Sequence, residues 1–217
     1  MNDQEIRAEP DRAERRFEVV STVILALAAL CTAWAGYQAS LWDGRQSTLY
    51  EEASALRTLS ADRDSEADEY RLADLGVFEN YVDARLSGDA ELASFYRMRF
   101  RPEFQTAFDA WLRLDPWDSD TAPPSPLAMP EYSLAAEEEA NVLADQAEAA
   151  FAEGQSANDH SDTFTLGTVL FAMALFFAAI SERFIIDGAR WTLLGFGAVA
   201  LLGGLVVVML QPVSFGS

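Results

Sequence analysis

The sequence predicts an all-α membrane protein, with three transmembrane helices and a helical extracytoplasmic bundle inserted between the first and second. Three observations predict it. Residues 19–41, 163–181 and 191–211 are apolar runs without one Asp, Glu, Arg or His, each near the ~20 residues that a helix needs to cross a bilayer. Between the first and second runs lie residues 42–162, with 27 Asp/Glu against nine Arg. Through most of that segment apolar residues recur at three- and four-residue steps, the period of a helix buried on one side.

The first element is a tail, residues 1–18, carrying Arg7, Arg12, Arg15 and Arg16. The apolar run that follows has a small-x-small sequence at Ala33-Trp34-Ala35, where a signal peptide would be cut. The run continues past it to Leu41 and Trp42, however, and reaches full spanning length with Tyr37 and Trp42 at its far edge. Aromatic residues of that kind favour the headgroup level. An uncleaved anchor over 19–41 is therefore expected. Cys31, the sole cysteine, lies inside it as a small apolar side chain, and the bulky Leu30 before it argues against a lipidated site.

The outer segment opens as a continuation of the first span. Leu49, Ala53, Leu56, Leu72, Leu75, Phe78, Val82 and Leu86 mark its apolar side, with Gly44 and Gly76 as weak points. Ser87-Gly88-Asp89 supplies a turn, and Asp89 is placed to cap a second helix over 90–114. That helix carries Phe100, Phe104, Phe108 and Trp111 at core spacing, and Pro102 should kink or restart it. Arg97, Arg99 and Arg101 are expected to answer Glu137, Glu138 and Glu139. Five prolines make residues 115–132 an extended loop. From Ser133 an Ala- and Glu-rich helix leads into the second span, 163–181. At 1.5 Å per residue the arm 42–86 rises about 65 Å, the helix 90–114 returns about 35 Å, and the third covers about 45 Å, so the bundle closes.

A turn over 182–190 carries Arg183 and Arg190, the third span covers 191–211, and the tail 212–217 has no Arg. Short Arg-bearing segments favour the cytoplasm. The amino terminus and the 182–190 turn are therefore expected inside, with residues 42–162 and the carboxyl tail outside. The spans hold small residues at four-residue steps, Ala28, Thr32 and Gly36, and Ala200 and Gly204, which suits close helix packing.

Composition narrows the chemistry. The acidic balance of residues 42–162 disfavours both nucleic acid and anionic lipid headgroups as partners of that segment. The absence of Asp, Glu, Lys, Arg and His within the spans argues against transport by one copy alone. One His and one Cys leave few metal or nucleophile arrangements, and no P-loop, HExxH, GxSxG or Rossmann pattern occurs. No catalytic, cofactor-binding or metal-ligating residue is expected, and no cofactor. Interface candidates gather at the outer boundary. Trp34, Gln38, Trp42 and Arg45 share one face of the first helix, and Asp159, His160 and Asp162 precede the second span. Two carboxylates and one His leave a tetrahedral metal site a ligand short. The expected role is a structural pair between Arg45 and Asp159 or Asp162.

Around these residues, Trp34–Gly44 (WAGYQASLWDG) and Ser161–Phe184 (SDTFTLGTVLFAMALFFAAISERF) resemble a group of small bacterial inner-membrane proteins with three transmembrane helices and no assigned activity. The resemblance implies a bacterial inner-membrane address and the three-span layout, and it carries over no catalytic residue. Two functional readings follow. One is a non-enzymatic integral membrane protein whose outer domain mediates protein–protein interaction, homo-oligomerisation or signal reception. The alternative is a channel or transporter component forming an oligomeric pore.

Overall fold

The computed structural model describes residues 12–215, and every regular element in it is helical. The α-helices are α1 (Arg12–Leu86), α2 (Ala90–Arg97), α3 (Pro102–Leu112), α4 (Ala135–Ser181) and α5 (Asp187–Met209), with a 3-10 turn at Pro126–Ala128. α1, α4 and α5 are each long and apolar enough to cross a membrane. The all-helical class and the three apolar helices match the sequence expectation. Residues 1–11 of the expected tail lie outside the described residues. Contacts divide the chain into two units, residues 1–50 with 152–217, and residues 51–151.

In the first unit, buried positions follow alternating steps of three and four. They are Phe17, Ser21, Ile24 and Ala28 on α1, and Phe164, Gly167, Phe171, Ala174, Ala178 and Ser181 on α4. Leu194, Gly197, Leu201, Gly204 and Val208 continue the pattern on α5. This spacing keeps one seam of each helix on its neighbours. Small residues let the backbones approach. A methyl added at Gly197 would sit 3.2 Å from the Ala174 carbonyl, and one at Gly204 would strike the Phe171 ring. The small-residue reading thus holds for Ala28 and Gly204. It does not for Gly36, which faces open space, since the α1 seam runs through Ala35, Gln38 and Trp42 instead. The outer faces are apolar too: Leu30, Phe176, Phe196, Val199, Leu202 and Val206 are all exposed.

The second unit is built where α1 ends. The Asp89 amide bonds the Ala84 carbonyl and the Gly88 amide the Arg85 carbonyl, at 2.9 and 3.1 Å, with Gly88 at φ +78°. This is a Schellman ending, and the left-handed residue at its centre is the glycine that tolerates it. Asp89 then caps α2 through the Leu92 amide, 2.9 Å away. The expected second helix is two, because the chain opens after Arg97 and restarts with Pro102 as the first residue of α3, where its missing N–H costs nothing.

Phe104, Ala107, Phe108 and Trp111 of α3 are buried against Phe78, Tyr81 and Ala84 of α1 and Phe100 before α3. The rings meet edge to face, as in Tyr81–Phe108 at 5.0 Å and Phe100–Phe104 at 4.9 Å, a geometry that their quadrupoles favour. The aromatic stripe is core. In the same unit α1 and α4 run side by side, with Ser60 Oγ donating to the Ala140 carbonyl at 2.9 Å. Gly44 and Gly76 leave α1 unbroken.

The expected arginine pairing is corrected. Arg71 holds Glu137 at 2.9 Å and Arg63 holds Glu139 at 3.1 Å. Arg97 pairs with Asp109 at 2.9 Å, Arg99 lies on the Phe95 ring, and Arg101 reaches Asp74 at 3.2 Å. The start of α4 lies against residues 60–71 of α1, so its glutamates meet the arginines of α1 and never those around α2.

Asp74 is the buried acid of this unit, 3% exposed. It accepts from the Tyr132 hydroxyl at 2.9 Å and from Arg101, joining α1 to the start of α3 and to the loop before α4. Burial pushes its carboxyl above the ordinary value, more than the bonds from Tyr132 and Arg101 lower it. A carboxyl raised in the folded state contributes stability while protonated and loses it as pH rises through the raised value. The stability of the wild type relative to Asp74→Asn, measured by thermal unfolding of the full chain, should therefore fall as pH climbs from the ordinary carboxylate value towards neutrality. A rise would contradict the burial argument.

Candidate functional site

The residues singled out where the first apolar run ends meet the carboxyl tail. α1 and α4 are antiparallel in the first unit, and their contacts step in opposite directions. Ser21 Oγ donates to Glu182 at 2.7 Å, Trp34 meets Phe164 at 5.8 Å, and Ser161 Oγ donates to the Ala39 carbonyl at 3.1 Å. That register puts Trp42 beside His160, ring centroids 4.6 Å apart. The end of α5 comes to the same place.

Gln38, 3% exposed, pairs with both backbone groups of Ser214. Its Nε2 donates to the Ser214 carbonyl at 3.2 Å, and its Oε1 accepts from the Ser214 amide at 2.9 Å. One turn further, Trp42 Nε1 donates to the Pro212 carbonyl at 3.2 Å. His160 Nδ1 lies 2.7 Å from Gln211 Oε1, so with the amide oxygen turned to the ring Nδ1 is the donor. Gln38, Trp42 and His160 thus fasten three of the four residues Gln211–Ser214. Each is a polar group at the edge of an apolar seam, where a bond left unmade would cost about 1–3 kcal/mol.

Of the seven candidates, Gln38, Trp42 and His160 converge. Trp34 lies lower on α1 with its ring half exposed against Phe164. Arg45 covers the Trp42 ring, 5.6 Å from its centroid, and reaches Glu153 at 3.9 Å. The expected pair of Arg45 with Asp159 or Asp162 is corrected. The buried seam of α4 runs through Ala157, Ser161 and Phe164. At 100° per residue Asp159 and Asp162 point away from it, and the antiparallel register brings Glu153 to the turn above Trp42. Asp162 accepts from Asn158 instead, at 3.2 Å. The Arg45–Glu153 pair is long and more than half exposed at both ends, which makes it worth little.

The chemistry of the cluster is that of fastening. The Ser161 hydroxyl is spent on a backbone carbonyl, and among the described residues no carboxylate bonds His160. Among those residues no group of three or more His, Cys, Asp or Glu side chains gathers as a metal site. Sequence reasoning missed Gln211, Pro212 and Ser214. Their one signal is a glutamine and a proline closing an apolar run, and nothing in the sequence links Ser214 to Gln38, 176 positions away.

A second lock closes the opposite end of the unit. Besides Ser21–Glu182, Phe17 meets Trp191 edge to face at 5.4 Å, and the Arg190 guanidinium lies 4.1 Å from the Phe17 ring centroid. Arg190 Nε is buried without a hydrogen-bond partner, a cost that the ring contact offsets in part. No family model, no curated protein and no solved structure matches this chain.

Replacing Gln38 with Leu should free the tail. The two bonds to Ser214 are lost and its backbone groups must turn to water, costing about 1–3 kcal/mol. Hydrogen exchange followed by mass spectrometry should show the peptide containing residues 211–215 exchanging faster in Gln38→Leu than in the wild type. Unchanged exchange there would contradict the fastening.

Proposed function

We propose that this protein is a non-enzymatic integral membrane protein of the bacterial inner membrane whose outer helical unit docks another protein or a second copy of itself. α1, α4 and α5 cross the bilayer, the amino terminus and the 182–190 turn lie in the cytoplasm, and residues 42–162 lie outside. The apolar outer faces of the first unit support the membrane placement, since water would not tolerate them. The Arg distribution over the short segments supports the orientation, and the resemblance noted above supports the address.

One observation carries the docking role. In a strongly acidic segment, α2 and its flanks leave four apolar side chains exposed: Leu86 by 72%, Leu92 by 40%, Phe95 by 43% and Met98 by 75%. Leu92 and Phe95 line one surface depression, and apolar side chains exposed on an otherwise charged surface support an interaction site. The seams of the first unit are filled by Phe164, Phe171, Ala174 and Ala178, all fully buried, so the alternative of a pore requires several copies.

A single thiol tests both parts. In a Cys31→Ser background, Met98→Cys should react with a membrane-impermeant maleimide in intact cells. A bifunctional reagent on the same thiol should give an adduct of higher mass, which disappears when Phe95→Asp is added. Labelling only after lysis would overturn the orientation, and labelling without an adduct would overturn the docking role.

A further inference from the structure

The first turns of α1 form a groove that nothing in the tail lock or the docking face uses. Arg12, Arg15, Arg16, Val19 and Val20 of α1, with Trp191 of α5, line an open groove of about 520 Å³. Half of the lining residues are arginines, and none is acidic. At 100° per residue the five α1 residues fall within an arc of about 140°; Glu14 lies on the opposite side of the helix, and Glu18 lies outside the arc, about 60° beyond Arg15. Among the described residues none of the three arginines forms an ion pair. Their charge is left for something outside the described chain.

The face continues along the helix as an apolar track. Val19, Val20, Val23, Leu27 and Leu30 follow the arginines at three- and four-residue steps, and all are at least 40% exposed. Trp191 closes the side of the groove, its ring held edge to face by Phe17. A cationic crown above an exposed apolar stripe, with an indole at the junction, complements one kind of molecule. Its head must be anionic and its tail a hydrocarbon chain.

We infer that this groove binds an anionic phospholipid of the inner leaflet. The phosphodiester sits among Arg12, Arg15 and Arg16, where guanidinium groups meet its oxygens in two-pronged hydrogen bonds. One acyl chain lies along Val19, Val20, Val23 and Leu27. The indole of Trp191 sits at the level of the glycerol, half in hydrocarbon and half in water. The head supplies the charge selectivity and the stripe supplies the grip, so neither a free phosphate nor a zwitterionic lipid satisfies both. The inference rests on the proposed reading that α1 and α5 cross a bilayer with the amino terminus in the cytoplasm, and it is independent of what docks at α2.

Native mass spectrometry of the full chain in a mild nonionic detergent tests it, with dioleoyl phosphatidylglycerol and dioleoyl phosphatidylcholine as probes. These share acyl chains and differ in charge. The wild type should retain phosphatidylglycerol in preference to phosphatidylcholine, and inorganic phosphate should not displace it. The triple variant Arg12→Gln/Arg15→Gln/Arg16→Gln should bind phosphatidylglycerol more weakly by on the order of a hundredfold, at about fivefold for each guanidinium. Arg57→Gln/Arg113→Gln, with two charges removed elsewhere, should bind as the wild type does. Equal retention of the two lipids by the wild type overturns the site without recourse to any variant. Full displacement by phosphate would show an anion site with no role for the stripe, and would overturn it as well. Failure of the membrane reading is separable, because the protein would then leave the membrane fraction without detergent.

Discussion

Close approach along small-residue seams is the constraint on which the first unit depends. Ala28 and Ala35 on α1, Ala174 and Ala178 on α4, and Gly197 and Gly204 on α5 leave no room for larger side chains. Gly154 shows the same constraint, because an added methyl there would strike the Tyr50 ring. Where the outside of a helix is as apolar as its inside, burial of hydrocarbon cannot decide which face turns inward. Packing and hydrogen bonds decide instead. The seams supply the first, and the polar groups at their two ends supply the second.

Those end groups follow from the register. Once Phe164 sits by Trp34 and Ser161 by Ala39, Gln38 and Trp42 have their polar ends level with the residues after α5. At the other end the same register sets Ser21 against Glu182. Polar residues inside a seam would demand partners deep within it. Confined to the ends they find a tail carbonyl, a tail amide and a glutamate, and they fix how far each helix can slide. The second unit answers to a different force. Its aromatic core is an ordinary hydrophobic one, and Asp74 with Arg101 and Tyr132 supplies its buried polar link.

Much of this was legible in the sequence because it depends on local period or local chemistry. Three charge-free runs give three apolar helices. The phenylalanine spacing from Phe100 to Trp111 gives a buried face, Asp89 gives a cap, and Pro102 gives a restart. The partners of charged and polar groups were not legible. Period tells that a face is buried, but it does not tell which neighbour covers it or at what register. Asp159 and Glu153 lie less than two turns apart on α4, and the register decides that Glu153 is the partner of Arg45. The link from Gln38 to Ser214 depends on where α5 ends relative to α1, which no local pattern encodes. Asp74 looked like any other carboxylate among 27, because its burial is created by Tyr132 and by the turn before α3.

The central claim is that the first unit keeps its small residues inside and turns its apolar outer faces to lipid. Spin labels placed singly at Phe196, Val199, Leu202 and Val206, with the protein reconstituted in lipid bilayers, test it most directly. Collision with dissolved oxygen, which concentrates in hydrocarbon, is compared with collision with a water-soluble nickel chelate. The account predicts that all four labels collide with oxygen and are shielded from the chelate, with shielding strongest near the middle of α5. Labels that collide freely with the chelate and little with oxygen would place this face in water and contradict the account.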